Sequence, residues 1–234
     1  MAFKHGKQTK ILVDEYDFSS YLNNTDMSWE IDTPETTTFG VNDRTYIVGL
    51  RNSTMSFAGF WDSTIDGYVT DDITTPVVNL LTYAPEGLST GSLIYSVQSR
   101  HSSWSVGSPV DGVATISLDV QGTDRLSRGI SLHNLTAEIE TTNAVAVDNG
   151  SSSASGGIGY LHVISNTFAT SIDVSIYDAS TTNFTALIDF TQLTTEGVAS
   201  ERATVAGTIL NKVRAEWTAV GTGACTFVVG FQRL

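Results

Sequence analysis

Five side chains of this 234-residue chain could bind a metal or act as nucleophiles: His5, His101, His133, His162 and Cys225. No two histidines, and no histidine together with Cys225, have the spacing of a metal site. His162 lies within an apolar segment, and we expect it on the less buried face of a strand. Cys225 is the single cysteine and is expected to be a small buried strand residue without a disulfide. The sequence therefore predicts no metal, no cofactor and no catalytic residue.

Between residues 26 and 32, polar and mostly acidic side chains alternate strictly with apolar ones. One set of positions holds Asp26, Ser28, Glu30 and Asp32, and the other holds Met27, Trp29 and Ile31. A period of two is typical of a strand with one buried face and one wet face. We therefore expect the apolar set to anchor the strand in a core while the acidic set faces water.

The overall charge limits the partners of the chain. The formal net charge is −13 and the pI is about 4.5, with an excess of acid in both halves. Such a chain repels nucleic acid at long range, so neutralising phosphates is excluded as its main role. A hydrophobic content of 41% favours a folded protein, and the absence of an apolar run of 18 residues predicts no membrane span.

The acidic strand is followed by a Thr-rich segment, 33–43, in which Pro34 and Gly40 break regular structure. This segment is too long for a tight hairpin turn, and long loops between strands often carry function. We expect it to lead into two further strands, at 44–50 and 54–62.

One substantial helix is predicted, between residues 66 and 84. Thr74, Thr75 and Pro76 would start it, because proline is tolerated in the first turn of a helix. Its apolar face would then consist of Val77, Val78, Leu80 and Leu81, and it would end before Pro85.

Strand patterns return after this helix and continue to the C-terminus. Between 113 and 120, Ala114, Ile116, Leu118 and Val120 are predicted to face inward, and Thr115, Ser117 and Asp119 outward. From residue 130, short strands recur at 160–164, 171–177, 184–190, 202–205, 213–218 and 225–231. Regular short strands with polar turns indicate a sandwich or jelly roll. The predicted fold class is all-β, with two β-sandwich domains and one short flanking helix.

The ordered set of segments at 29–40, 44–50 and 54–62 resembles the major tail tube proteins of long-tailed, siphovirus-like phages and related archaeal tailed viruses. The resemblance implies a tail-tube-type β-sandwich at 1–129 with an N-terminal arm at 1–10, followed by an outer sandwich at 130–234. It also implies a structural virion protein, not an enzyme, whose hexameric rings stack into a tube. The tube would be assembled in the host cytoplasm and contact the tape measure, tail terminator and distal tail proteins.

The same resemblance assigns roles to two groups of residues. The lumen, through which DNA passes without specific binding, would be lined by Asp26, Ser28, Glu30 and Asp32. The loop joining one ring to the next would contain Thr36, Thr37, Thr38, Phe39, Gly40, Asn42, Asp43 and Arg44.

An alternative of a different class is a capsid-decorating or glycan-binding adhesion module built on a β-sandwich. That function requires an exposed aromatic patch in the C-terminal half. Tubes or rings in electron micrographs would favour the tail tube, and discrete particles the adhesion module.

Overall fold

A computed structural model describes residues 6–194 and 196–234 of the chain. These residues form an antiparallel all-β protein with one α-helix, which confirms the predicted fold class. The strands are β1 (Lys10–Val13), β2 (Tyr16–Asp17), β3 (Leu22–Ile31), β4 (Arg51–Phe60), β5 (Asn79–Ala84), β6 (Leu93–Gly107), β7 (Thr115–Gly122), β8 (Ser127–Glu138), β9 (Thr142–Asn143), β10 (Val147–Asp148), β11 (Gly157–Asn166), β12 (Ser171–Ala179), β13 (Thr185–Asp189), β14 (Ala199–Val205), β15 (Lys212–Val220) and β16 (Cys225–Arg233). The helix α1 spans Ser63–Thr74, and short 3-10 helices span Gly6–Gln8 and Phe18–Ser20.

The chain divides into two compact units that are not continuous in sequence. The first, called here the sandwich unit, contains the described residues 6–19, 80–96, 127–194 and 196–234. The second, called here the sheet unit, contains residues 20–79 and 97–126. This division differs from the expected domains 1–129 and 130–234, because two N-terminal segments belong to the unit that holds the C-terminal half.

The sandwich unit consists of two sheets with a shared apolar core. One sheet has the order β14-β11-β16-β8 and continues through the first part of β6 to β5, β1 and β2; the other has the order β10-β15-β12-β13, with β9 paired to β15. The strands predicted at 171–177 and 213–218 are confirmed as β12 and β15. Their alternate residues Ile172, Val174 and Ile176, and Val213, Ala215 and Trp217, are all buried in one cluster. Strands β11 and β16 contribute Leu161, Val163, Phe227, Val229 and Phe231 to the same cluster.

A smaller apolar cluster explains why residues 6–19 belong to the sandwich unit. Leu12 and Ile94 are buried together with Val228, and Leu135 and Ile164 pack against them. The side chains of this cluster therefore come from both sides of residue 129, and neither side completes it alone.

His162 lies at the centre of a buried polar network in the sandwich unit, and the expectation that it occupies a less buried face is wrong. Its Nδ1 donates to the carbonyl oxygen of Asp14 at 2.7 Å, and its Nε2 lies 2.8 Å from the Thr82 hydroxyl. Asp14 has a positive φ of 48°, and its Oδ1 accepts from the Leu80 amide and the Ser200 hydroxyl. Burial lowers the pKa of His162, partly opposed by the hydrogen bond to Asp14, so the neutral ring is favoured.

The sheet unit contains β3, β4, β7 and the second part of β6, in that antiparallel order, together with α1. Asp62 caps the helix, because its Oδ1 accepts from the Thr64 amide at 2.8 Å. The helix ends before Pro76, since a residue that precedes proline is restricted away from the helical region.

The predicted position of the helix is wrong for residues 77–84. Val77 and Val78 are exposed and belong to neither a helix nor a strand, while Leu80 and Leu81 lie in β5. Strand β5 pairs with β1 and is buried along almost its whole length. A strand buried on both faces lacks the regular alternation of apolar and polar residues, and without it a short segment rich in apolar residues cannot be assigned to a strand rather than a helix.

Candidate assembly surfaces

One face of the four-stranded sheet in the sheet unit is polar across all four strands. Cross-strand pairing aligns Asp26 with Ser56, Asp119 and Ser103 in a single row. The adjacent row consists of Ser28, Thr54, Gln121 and Arg100, and a third pairs Glu30 with Asn52. Residues directly opposite in neighbouring strands share a face, so these side chains form one surface, called here the polar face.

Hydrogen bonds between neighbours hold the side chains of the polar face in place. Ser28 donates to Glu30 at 2.8 Å, and the amide of Gln121 donates to the Asn52 Oδ1 at 2.6 Å. Ser103 donates to Asp119 at 2.6 Å. The hydrogen bonds from Ser103 and then Ser56 lower the pKa of Asp119, so this carboxylate stays charged on the face despite a small opposing effect of burial.

The predicted acidic group is therefore largely assembled on one surface. Asp26, Ser28 and Glu30 lie in β3 on the polar face, whereas Asp32 follows the end of the strand. Arg100 lies in a row of the same face through its pairing with Gln121, and its guanidinium donates to the carbonyl oxygens of Pro76 and Val77, which follow α1. Asp119 was not predicted as a site residue, although the alternation at 113–120 correctly placed it on the outward face of β7.

The opposite face of the sheet is apolar and carries the helix. Met55, Phe57, Leu118 and Val120 are buried on this side, as are Ile65 and Val69 of α1. Trp104, which is paired with Leu118, donates its indole N–H to Asp66 of the helix at 3.0 Å. His101, paired with Val120, makes an edge contact with Tyr68 of the helix.

The prediction that Met27, Trp29 and Ile31 anchor β3 in the core is wrong for two of the three. Met27 is half-buried beside Met55, but Trp29 and Ile31 are 43% and 46% exposed. Their strand partners, Ser53 and Arg51, bring no large apolar side chain to cover them. The alternation thus identifies the apolar face of β3 correctly but not how far the core extends along it.

Residues 32–50 form a long hairpin that extends β3 and β4 beyond the sheet. The amide of Asp32 donates to the Leu50 carbonyl and the amide of Gly49 to the Asp32 carbonyl, at 2.9 and 2.7 Å. Further along the hairpin, the backbone amide of Thr36 donates to the carbonyl oxygen of Thr45 at 2.8 Å. The predicted strand at 44–50 is therefore wrong, because these residues pair only intermittently with 32–36 and a single bridge joins Glu35 to Tyr46.

The hairpin is exposed along almost its whole length. Its open loop spans 37–44 and so contains most of the residues predicted to join neighbouring rings, while Thr36 forms the last backbone pair. Phe39 at the tip is fully exposed, and Val48 and Leu50 on the return limb are 77% and 80% exposed. Arg44 and Glu35 form an ion pair at 3.7 Å across the two limbs. An exposed apolar surface of this extent is characteristic of an interaction site.

The remaining predicted features lie elsewhere in the chain. Of the N-terminal arm, residues 1–5, including His5, lie outside the described residues, and Gly6–Gln8 form a 3-10 turn. Cys225 is fully buried, and burial raises the pKa of its thiol to about 12. Among residues 6–194 and 196–234, no three His, Cys, Asp or Glu side chains come together as a metal site. No helix in the same ranges has the length and apolar character needed to cross a membrane.

The aromatic side chains described in the C-terminal half are mainly internal. Tyr160, Phe168, Phe190, Trp217, Phe227 and Phe231 are buried. Tyr177 and Phe184 are intermediate in exposure, and the guanidinium of Arg214 covers the ring of Phe184 at 3.8 Å. The exposed aromatic patch that the adhesion alternative requires is therefore not found in the described part of this half.

No protein-family model matches the sequence, and no curated protein matches it. Among solved structures, the chain is similar to a protein from the virion of a native gene transfer agent (GTA) particle, with 20% identity and a TM-score of 0.47. The alignment covers 54% of this chain and 98% of that one. A protein from the tail of an empty GTA particle with C6 symmetry is similar with 18% identity and a TM-score of 0.41, over 46% of this chain and 81% of that one.

The chain is also similar to the Dit protein of phage SPP1, described as a paradigm of the hub adsorption apparatus in phages that infect Gram-positive bacteria. Here the identity is 13% and the TM-score 0.38, over 96% of this chain and 98% of that one.

Proposed function

We propose that this protein is a structural subunit of a virion tail tube, without catalytic activity, that forms stacked hexameric rings around an acidic lumen. The observation that carries the proposal is the four-stranded sheet of the sheet unit. One of its faces is polar across four strands, the other is covered by a helix, and a long exposed hairpin extends from one end.

The edges of this sheet support ring closure. Strand β3 pairs only with β4 among the described residues, so its outer edge is available to another chain. At the other side of the sheet, β6 runs antiparallel to β7. Because four antiparallel strands alternate in direction, β6 of one copy would meet β3 of the next in the antiparallel sense.

The expected dimensions of such a ring suit a conduit for DNA. Six copies would supply about 24 strands at a spacing of about 4.8 Å. With strand tilts from zero to about 40°, the ring would measure roughly 37–48 Å across at the backbone. Side chains narrow this opening, and the space that remains is wide enough for a duplex.

The charge of the polar face fits passage without binding. Asp26, Glu30 and Asp119 from each copy would line the lumen, with Asp32 near one end, against the single charge of Arg100. Carboxylates repel phosphates at short range, and salt screens the repulsion beyond about 8 Å. DNA would then slide through a wall whose net charge is negative, because each copy adds at least three carboxylates for the one guanidinium of Arg100.

In this proposal the protein resides in the virion tail, is assembled in the host cytoplasm, and contacts tape measure, tail terminator and distal tail proteins. The hairpin at 32–50 would join successive rings. The first experiment is negative-stain imaging of the purified protein at increasing concentration. Rings or tubes support the proposal, and discrete particles at every concentration would overturn it.

A thiol probe tests which surface faces inward. Ser28→Cys places a reactive group on the polar face, while native Cys225 is buried with a raised pKa and stays silent. We expect a bulky maleimide reagent to modify the variant as a free subunit and after tube disassembly, but not within intact tubes. Equal reaction in intact tubes would place the polar face on the outside.

Charge reversal tests the electrostatic part of the proposal. Replacing Asp26, Glu30 and Asp32 with lysine should leave tubes that retain linear duplex DNA on co-sedimentation, in a salt-dependent manner. Lysine at Glu140, Asp189 and Glu196, which are exposed acids of the sandwich unit, is the matched control for net charge. If the control retains DNA as strongly as the test variant, the acidic lumen is the wrong explanation.

A further inference from the structure

The two ends of the four-stranded sheet carry different and complementary surfaces. At the end where the long hairpin begins, β3 and β4 pair Ile31 with Arg51, and β6 and β7 pair Ser99 with Gly122. At the other end, β6 and β7 are joined by the turn 108–114 after the pair Gly107 and Thr115. Strands of about ten residues separate the two ends by about 30 Å.

The hairpin end holds a cavity of about 270 Å³, called here the arginine pocket. It is lined by Trp29, Arg51, Asn52, Ser53 and residues 122–126. Gly122 forms part of its wall, where a Cβ atom would collide with the Ser53 hydroxyl. The volume corresponds to about nine water molecules in the liquid, so the pocket can receive side chains from another molecule.

The charge of the arginine pocket is unusual for this chain. Arg51 and Arg125 are exposed, and in the described part of the chain their guanidinium groups make no hydrogen bond or ion pair. Asp124 also lines the pocket, and it accepts from the Arg125 backbone amide at 2.6 Å. The lining of the pocket therefore carries two positive charges and one negative charge, in a protein whose net charge is −13.

The turn 108–114 at the opposite end of the sheet carries exposed apolar side chains and a carboxylate, which complement the arginine pocket. Val110 at its tip is fully exposed, Val113 is 65% exposed, and Asp111 between them is an exposed carboxylate. An apolar tip with one acid complements a pocket with an exposed tryptophan and two arginines. Arginine is well suited to such contacts, because its planar fork binds carboxylates in a bidentate manner.

We infer that the turn 108–114 of one copy docks into the arginine pocket of a second copy, with Asp111 paired to Arg125 and Val110 against Trp29. The inference rests on the proposed tail tube function and adds a second inter-ring contact to the one made by the hairpin at 32–50. Because the two surfaces lie at opposite ends of the same sheet, the contact is heterologous and repeats from ring to ring.

Charge exchange tests the inference in the full-length protein. Asp111→Arg and Arg125→Asp should each raise the critical concentration for tube growth about tenfold or more, measured by sedimentation, while rings still form. The double variant should restore growth toward the wild-type level. Asp189→Arg, with the same charge change on strand β13 of the sandwich unit, is the control and should grow normally; equal thermal unfolding temperatures exclude loss of folding.

Three outcomes separate the possibilities. If the wild-type protein forms no rings or tubes, the proposed function itself fails. If the wild type forms tubes and Asp111→Arg grows equally well, the docking inference is overturned. If Asp43→Arg, in the loop of the long hairpin, rather than Asp111→Arg, is rescued by Arg125→Asp, the occupant of the pocket is the long hairpin and not the turn.

Discussion

The sandwich unit and the sheet unit use the same kind of strand in opposite ways. In the sandwich unit two sheets turn their apolar faces toward each other, and side chains such as Phe227 and Trp217 are buried in a shared core. The sheet unit covers one face with a helix, leaves a polar face open and exposes Trp29, Phe39 and Val110 at its ends. In the first unit apolar side chains stabilise the fold, whereas in the second many of them are available for association.

The sharpest test of this difference is to truncate one phenylalanine side chain to alanine in each unit. Phe227→Ala removes a ring that stacks on His133 at 4.3 Å and meets Trp217 edge-on at 5.3 Å. We expect the free energy of unfolding to fall by about 3–5 kcal/mol, since a buried cavity is created. Urea denaturation monitored by circular dichroism measures this change in the free energy of unfolding.

Phe39→Ala is the matched side-chain truncation in the sheet unit. Its fully exposed ring should leave the free energy of unfolding within about 0.5 kcal/mol of the wild type, and weaken tube growth instead. Similar losses of stability in both variants would contradict the contrast between the units.

The next largest effect should come from shortening the hairpin. Thr36 and Thr45 lie opposite each other, so residues 37–44 can be replaced by Asn-Gly, the preferred two-residue turn. The shortened protein should keep the wild-type unfolding curve and lose stacking, because the open loop with Phe39 is gone. Normal tubes from this variant would show that the loop does not join rings.

A pH-dependent effect is predicted for the sandwich unit. The folded-state pKa of His162 lies below its ordinary value of about 6.5, so the unfolded chain binds more protons in the interval between them. The contribution of His162 is full above about pH 6.5 and is lost as the pH falls through the folded pKa. His162→Gln should flatten the decline of unfolding free energy between pH 7 and 5, measured by urea denaturation at each pH. An unchanged slope would show that other groups cause the decline.

The smallest effect is expected at the ion pair of the hairpin. Glu35→Gln breaks a contact with Arg44 at 3.7 Å between two exposed side chains, and such pairs contribute at most about 1 kcal/mol. Both the unfolding free energy and tube growth should change little. A large loss of tube growth would indicate that Glu35 contacts a neighbouring copy.

Period-two patterns predicted strands well wherever one face of the strand is wet. The inward residues Ile116, Leu118 and Val120 of β7 are buried as expected, and the predicted strand at 171–177 is present as β12. The pattern failed at β5, because a strand buried on both faces has no alternation to read. It failed again at 44–50, where residues of high β-propensity extend beyond the sheet and pair only intermittently.

The candidate surfaces could be predicted only in part. The acidic side of β3 follows from local alternation, but its union with Asp119 and Ser103 depends on the pairing of strands distant in sequence. The burial of His162 likewise depends on Asp14 and Thr82, which are 148 and 80 residues away. The division of the chain into units depends on a core cluster that joins Leu12 to Val228. No local pattern encodes contacts of this range.

The different ends of the four-stranded sheet have a consequence for any filament built from it. Each copy is polar, because it has a hairpin at one end and a short turn at the other. Head-to-tail association of such copies makes the whole filament polar. The filament then has two chemically distinct tips, one that displays hairpins and one that displays turns. Different capping proteins can therefore recognise the two tips, and growth from one tip need not resemble growth from the other.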